Sequence, residues 1–474
     1  MRRFRRSKIA NYIQEFGNET TLHGIPHLIK PKVHYLEKIM WVVIVALSTG
    51  GAMSLILNSW NRYNANPTVI SLEKDFRDWN LTFPASTACF LNRLNDTLAD
   101  DYIYEKWGID PNTTEGEKYK AFLDSVVNLT WANMDSFKNF TDSEVFTSLT
   151  GEQLVDIARN VMVEMIFHSN IFNPIYKNIS FEPTVTEMGY CYSYSSIVSS
   201  FLHFKDQAVV TYKKDLPVCN YLNSLCYARI EDLPTTVKYY IHSPYEIPDV
   251  NDKYFVVIQN MERDTSFRFQ EMVASEDLRR LDPMQRQCRF VDEPLEGDKF
   301  YSYNLCMMNC RKRVAVGLCG CMPYFYIKGD GAKLCDVKGL ACLSKYKERI
   351  VRLREEDGRR IHCNCLFQCE YTSFYIDKDA QRQWSYPVPS NIRYRWAIEH
   401  YSKTRQKRDI IFGFEDLLGN LFACRIFSRA YIQLFVSYYS FTRWHSRLFP
   451  RLQRAQLRRA RLFLHAPTLL VHLQ

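Results

Sequence analysis

Fourteen of the fifteen cysteines in this 474-residue chain lie between Cys89 and Cys369, and nine of them crowd into residues 301–369. That density leaves two chemistries open. The cysteines close into disulfides in an oxidising compartment, or they gather zinc in a reducing one. The remainder of the sequence decides between them.

From Ile39 to Leu57 no residue is charged, and Trp60 closes the run. Nineteen residues at about 1.5 Å each reach roughly 28 Å, the thickness of a bilayer's hydrocarbon layer. The run is too long and too far from the N-terminus for a cleaved signal peptide. Residues 1–38 carry eight Lys/Arg and three Glu, so the positive-inside rule puts them in the cytoplasm and the chain after Trp60 outside. Asn80, Asn95, Asn112, Asn128, Asn139 and Asn178 each open an N-x-S/T triplet, a cluster that suits passage through the secretory pathway. Asn18 also opens one, on the side where it would not be modified. Disulfides are therefore expected.

Charge is distributed unevenly. The segment from Lys403 carries thirteen Lys/Arg and three acids, whereas residues 39–402 are net acidic by six. An acidic outer body between basic ends suits a protein that handles cations outside and meets anionic lipid with its ends, and it equally suits ordinary solvated surface. No nucleic-acid motif accompanies the basic tail. No catalytic constellation, cofactor motif or metal-ligand spacing is evident, so an enzyme is not expected.

Residues 61–90 read as extended structure, 97–170 as mainly helical, and 181–300 as strand-rich, with KYFVVIQN and QAVVTYKK as candidate strands. Val145, Leu149, Leu154, Val155, Ile157, Val161, Met162 and Met165 form an approximate helical stripe from Ser143 to Phe167. Residues 370–400 return to strand-like sequence. The class expected is an α+β membrane protein with a cysteine-dense subdomain inserted late.

Cys306 and Cys310 are four apart and share a helix face, while Cys363 and Cys365 are two apart and share a strand face. Facing pairs suggest an antiparallel ladder of Cys306–Cys365 and Cys310–Cys363. Cys288–Cys369 would close outside it, with Cys319–Cys342 and Cys321–Cys335 nested within. Sequence alone leaves other connectivities open. The C-x-C pairs at 319–321 and 363–365 fit structural zinc poorly, because such sites favour C-x₂₋₄-C.

The segment from Arg286, RQCRFVDEPLEGDKFYSYNLCMMNCRKRVAVGLCGCMPYFY, with LCDVKGLACL and CNCLFQCEYTSF after it, resembles the cysteine-rich thumb of degenerin/epithelial sodium channels, most of all the insect pickpocket branch. His23–Gly24 in TLHGIPHL is similar to that family's cytoplasmic His-Gly motif. FPASTAC is similar to the motif after its first membrane helix, GYCYSYS to its GLCYTFN, and GFEDLLGN to the lead-in of its second pore helix. The resemblance covers roughly residues 20–420. It implies Cys89–Cys191 and Cys219–Cys226 pairs, and gating roles for His23, Gly24 and Gly419. It also implies a homo- or heterotrimer of related subunits in the plasma membrane, each crossing twice, with a β-sheet palm and helical finger and thumb. Sodium would be the permeant ion, amiloride a blocker and an extracellular stimulus the trigger.

The implied organisation is a cytoplasmic segment (1–38), a membrane helix (39–60) and an extracellular domain (61–405) with its thumb at about 288–369. A lead-in and atypical second-helix remnant (406–442) and a basic tail (443–474) complete it. The departure from the family comes after Asn420. No G-x-S filter follows, no glycine follows Gly419, and Arg425 and Arg429 fall in the expected span, where each costs about 2.5–3.5 kcal/mol near the bilayer centre. Three readings stay open: a changed reading frame or splice junction near residue 421, a nonconducting modulatory subunit, or an altered crossing. A single-pass cysteine-rich surface receptor is the rival from another class.

Overall fold

The computed structural model describes residues 15, 25–29, 34–65, 67–164, 170–173, 180–202, 216–223, 226–231, 233–295, 298–326, 331–383 and 392–411. The chain divides into two compact units, Met1–Thr68 with Ile410–Gln474, and Val69–Asp409.

In the first unit, helix α1 (Tyr35–Ala65) has 31 residues and a mean hydropathy of 2.1 over its most apolar window. Its apolar side chains, Ile39, Val42, Val43, Leu47, Met53, Leu55 and Leu57 among them, are exposed, and only Trp41 is buried, stacked on His27 with ring centroids 4.4 Å apart. Among the described residues it is the one helix long and apolar enough to cross a membrane. It continues to Ala65, so the extended structure expected from residue 61 starts only at β1 (Thr68–Glu73).

The second unit combines sheets and helices. Its largest sheet has the order β1–β14–β11–β13–β8–β4, with β12 on β11, from β1, β4 (Asn170–Asn173), β8 (Cys226–Ile230), β11 (Met261–Ala274), β12 (Tyr371–Gln383), β13 (Ile392–Ile398) and β14 (Arg405–Ile410). A second sheet runs β10–β9–β3–β6–β5, from β3 (Ala85–Phe90), β5 (Glu182–Thr186), β6 (Gly189–Tyr194), β9 (Val237–His242) and β10 (Phe255–Val257). β2 (Asn80–Thr82) and β7 (Val218–Asn220) form a separate pair. β11 pairs antiparallel with β12 along its length, and in parallel with β13 over its first half and β14 over its end.

Alternation along β13 shows why the sheets stack. Ile392, Tyr394 and Trp396 point inward, whereas Arg393 and Arg395 reach Glu262 and Asp264 on the neighbouring strand. The inward residues join one aromatic core: Tyr394 stacks on Tyr239 at 4.2 Å, and Trp396 donates to the carbonyl of Pro84 at 3.1 Å.

The helices α2 (Asp96–Trp107), α3 (Thr114–Val127) and α4 (Gly151–Val161) pack a second core around Phe122, Phe140 and Phe146 with the cysteine-rich segment. The expected helical stripe from Ser143 to Phe167 is interrupted. Thr150 and Gln153 form a reciprocal capping box that starts α4 afresh, and α4 ends at Val161 because Met162 leaves to bridge Leu94. Val145 is exposed as a result. Of the two candidate strands, KYFVVIQN supplies β10, while QAVVTYKK lies outside the described residues.

The cysteine-rich segment contributes α5 (Tyr303–Cys319), α6 (Val337–Lys345) and α7 (Lys347–Arg352). Gly339 in KGLACL is dictated by close approach, since a Cβ there would lie 2.5 Å from the Cys321 sulfur. The expected strand through Cys363 and Cys365 is not formed. Residues 361–367 make no ladder, and Asn364 sits at φ 53°, a left-handed turn that asparagine tolerates better than most residues.

Candidate functional site

The geometry converges on α5. Its first turn leaves backbone N–H groups without helical acceptors. Ser302 caps it, accepting from the Leu305 N–H at 3.3 Å, and its hydroxyl donates in turn to Glu246. The Glu246 carboxylate also accepts from the N–H groups of Tyr303 (2.9 Å) and Asn304 (3.0 Å). A carboxylate at a helix N-terminus is favoured by the helix dipole. Burial nevertheless pushes the Glu246 acid up to about 7, against the lowering effect of these hydrogen bonds and with a further push from Asp252. Asn304 Nδ2 donates to the carbonyl of Ile247 at 2.7 Å, so the loop after β9 is fastened to the start of α5 twice.

One turn beyond Ser302 and Glu246, α5 is held covalently. The structure joins Cys306 to Cys365 and Cys310 to Cys363, and Cys288 to Cys369 outside them. Cys319–Cys342 and Cys321–Cys335 fasten its far end, Cys89–Cys191 joins β3 to β6, and Cys219–Cys226 is a local pair. Fourteen cysteines are thus consumed, and Cys424 lies outside the described residues.

The middle of α5 is held by charge. Arg311 is buried and grips Glu187 with two nitrogens, Nε to Oε1 at 2.7 Å, and it also reaches Asp249. Glu187 Oε1 accepts from Tyr326 (2.6 Å) and Trp131 (3.3 Å), so its charge is surrounded by donors. Burial would lower the Arg311 pKa, but the Glu187 and Asp249 charges outweigh it and raise it. Burial and the Glu187 charge push the Tyr326 phenol well above its ordinary value. Glu187 lies in the β5–β6 turn, which continues into Gly189 at φ 89°, where a Cβ would lie 2.9 Å from Arg93 Nη1. Glycine opens GYCYSYS for that reason.

A third buried polar group sits on β9. His242 Nε2 bonds Thr87 at 2.8 Å, its Nδ1 meets the Ser243 carbonyl at 2.9 Å, and burial lowers its pKa to about 4.

Other sequence-expected positions scatter. Asn80 is exposed in β2, Asn95 caps α2, and Asn112 and Asn139 are exposed around the helical core. Asn128 is a correction. It is 7% exposed and its Nδ2 donates to Asp124 at 2.7 Å, so a glycan on that nitrogen is incompatible with this fold. His23, Gly24, Gly419 and Asn178 lie outside the described residues. Glu187, Arg311, Asp249 and Glu246 escaped the sequence reading. Within RKR, Arg311 looks like solvated charge, and only Ser302 ahead of α5 carried a legible signal, that of an N-cap.

An apolar helix followed by a disulfide-framed α+β body, with a helix locked by cap, salt bridge and cystines, defines a membrane-tethered protein with no enzymatic constellation among the described residues. The amiloride-sensitive sodium channel family model matches residues 16–422, and the chain belongs to that family. It is 21% identical to acid-sensing ion channel 1 of Gallus gallus, over 83% of this chain and 72% of that one. It is also 21% identical to the sodium channel protein Nach of Drosophila melanogaster, over 86% and 82% respectively. To the bile acid-sensitive ion channel of Mus musculus it is 22% identical, over 76% and 70%. These relatives are ion channels, a family without enzymatic activity.

Two outcomes are expected. Arg311→Met leaves Glu187 buried without its cation and costs about 3–5 kcal/mol, whereas adding Glu187→Leu recovers part of the loss; thermal unfolding of the three proteins measures both. The buried acids and bases make stability pH-dependent with opposite signs. Between its ordinary 4.5 and about 7, folded Glu246 binds a proton that the unfolded chain lacks, so its contribution falls as pH rises through that window. Between about 4 and 6.5 the unfolded chain protonates His242 first, so that contribution rises with pH. Unfolding midpoints across pH 4–8 should lose the first trend in Glu246→Gln and the second in His242→Gln.

Proposed function

We propose that this chain is a subunit of a plasma-membrane cation channel, with its disulfide-framed body outside and α1 crossing the bilayer. The observation that carries the reading is the coincidence of family membership with a closed set of cystines after a positively flanked apolar helix. On this reading residues 288–369 act as a stiff lever. An extracellular stimulus would shift this thumb against the sheets through the Glu246 and Arg311 anchors. Related subunits would complete a homo- or heterotrimer that passes sodium and is blocked by amiloride. Asn80, Asn95, Asn112 and Asn139 are suitable glycan acceptors, and Asn178 shares their triplet. His23, Gly24 and Gly419 would serve in gating, as the family motifs suggest.

A specific observation favours a modulatory variant of this role. Arg425 and Arg429 stand where a second pore helix is expected, and no G-x-S follows Asn420. The chain would then supply a gating body to pores built with partners. Whole-cell recording tests the reading. The chain expressed alone should give no amiloride-sensitive sodium current, and coexpression with a conducting family member should change that member's current. A sodium current from the chain alone would overturn the modulatory assignment, and an unchanged partner current would overturn the subunit assignment.

A further inference from the structure

Beside the Cys310–Cys363 cystine, α5, Leu295 and residues 361–364 line an open surface cavity of about 460 Å³. Its walls are of two kinds. Leu295, Val314 and Ile361 are half-buried and apolar, whereas Arg313 and His362 are exposed at its edge. Neither Arg313 nor His362 has a hydrogen-bond or ion-pair partner among the described residues. The contrast with Arg311, two positions away on the same helix, is instructive: Arg311 has its carboxylates, and Arg313 has none.

The surroundings reinforce that imbalance. The eight residues lining the cavity include one permanent cation, Arg313, and no acid. Arg354 and Arg360 oppose each other across an isolated antiparallel bridge, an arrangement of like charges that costs energy without a counterion. The lining therefore favours an anion over a cation.

An open cavity of this size, with apolar residues beside exposed polar groups, offers a shallow surface site for a small molecule. We propose that it binds a small organic anion, a carboxylate or sulfonate with a compact apolar body. The body lies against Leu295, Val314 and Ile361. The anionic oxygens pair with the Arg313 guanidinium, whose planar fork suits two oxygens at once, while His362 and the Asn364 amide supply further polar contact. Because Cys310–Cys363 forms one wall, an occupant would brace α5 against residues 361–364. This assignment stands independently of whether the chain conducts.

Fluorine NMR of the full-length chain in lipid nanodiscs tests it, with para-(trifluoromethyl)benzoate as probe and para-(trifluoromethyl)benzyl alcohol as its neutral counterpart. Empty nanodiscs supply the baseline for partition into lipid. The benzoate signal should broaden beyond baseline with the wild-type chain, and the alcohol signal should not. Arg313→Gln should weaken benzoate binding at least about tenfold, the scale of one charge-assisted hydrogen bond. Val314→Trp, which fills the apolar wall, should weaken it comparably. Both residues are at least partly solvent-accessible, so both variants should fold, and an unchanged unfolding midpoint checks that. Benzoate at baseline in wild type, equal binding in either variant, or alcohol binding as strong as benzoate would each overturn the proposal.

Discussion

The Arg311–Glu187 pair is the contact on which the arrangement of this body depends. Two opposite charges have left water, and the loss is made good only because Asp249, Tyr326 and Trp131 complete the hydrogen bonding around them. Few other positions of α5 would satisfy those partners together. The pair therefore sets where the helix lies against the β5–β6 turn, and the cap at Glu246 and the two cystines at Cys306 and Cys310 then set its remaining freedom. Charge and sulfur divide the work: the cystines limit the unfolded chain, about 2–4 kcal/mol each by the loop-entropy account, while the ion pair chooses among compact arrangements.

That division explains how a segment with few long apolar runs keeps a defined shape. Much of the packing of residues 288–369 is shared with the helices. This segment sets Phe325, Leu340 and Leu343 into the cluster built by α3, α4 and the 134–140 turn. Rigidity along α5 and shared packing at its far end are what a lever needs. Glu246 sits where the start of that helix meets the loop after β9.

Much of this was legible in the sequence where a residue type has one physical use. Cys306 and Cys310 four apart on a helix and nineteen uncharged residues at Ile39–Leu57 each point to a single local structure. Legibility failed where tertiary context decides. Nothing marks Arg311 as buried and Arg313 as exposed, because both look alike in RKR. The strand expected through Cys363 and Cys365 gave way to an irregular segment turned at Asn364, since two cystines tether it without any ladder. Asn128 reads like its five companion triplets, yet the packing of α3 buries it. The helical stripe expected at Ser143–Phe167 holds only from Leu154 to Val161, since the Thr150–Gln153 box starts a new helix there, and Met165 and Phe167 lie outside the described residues.

The cystine frame clamps α5 to the segment around Asn364, and disulfide mapping is the decisive check. Protein recovered from the secretory pathway would be alkylated, digested without reduction and sequenced by mass spectrometry. No free thiol is expected among Cys89–Cys369, with Cys306 linked to Cys365 and Cys310 to Cys363. Alkylated thiols at these positions, bound zinc, or Cys306 joined to Cys363 would contradict it.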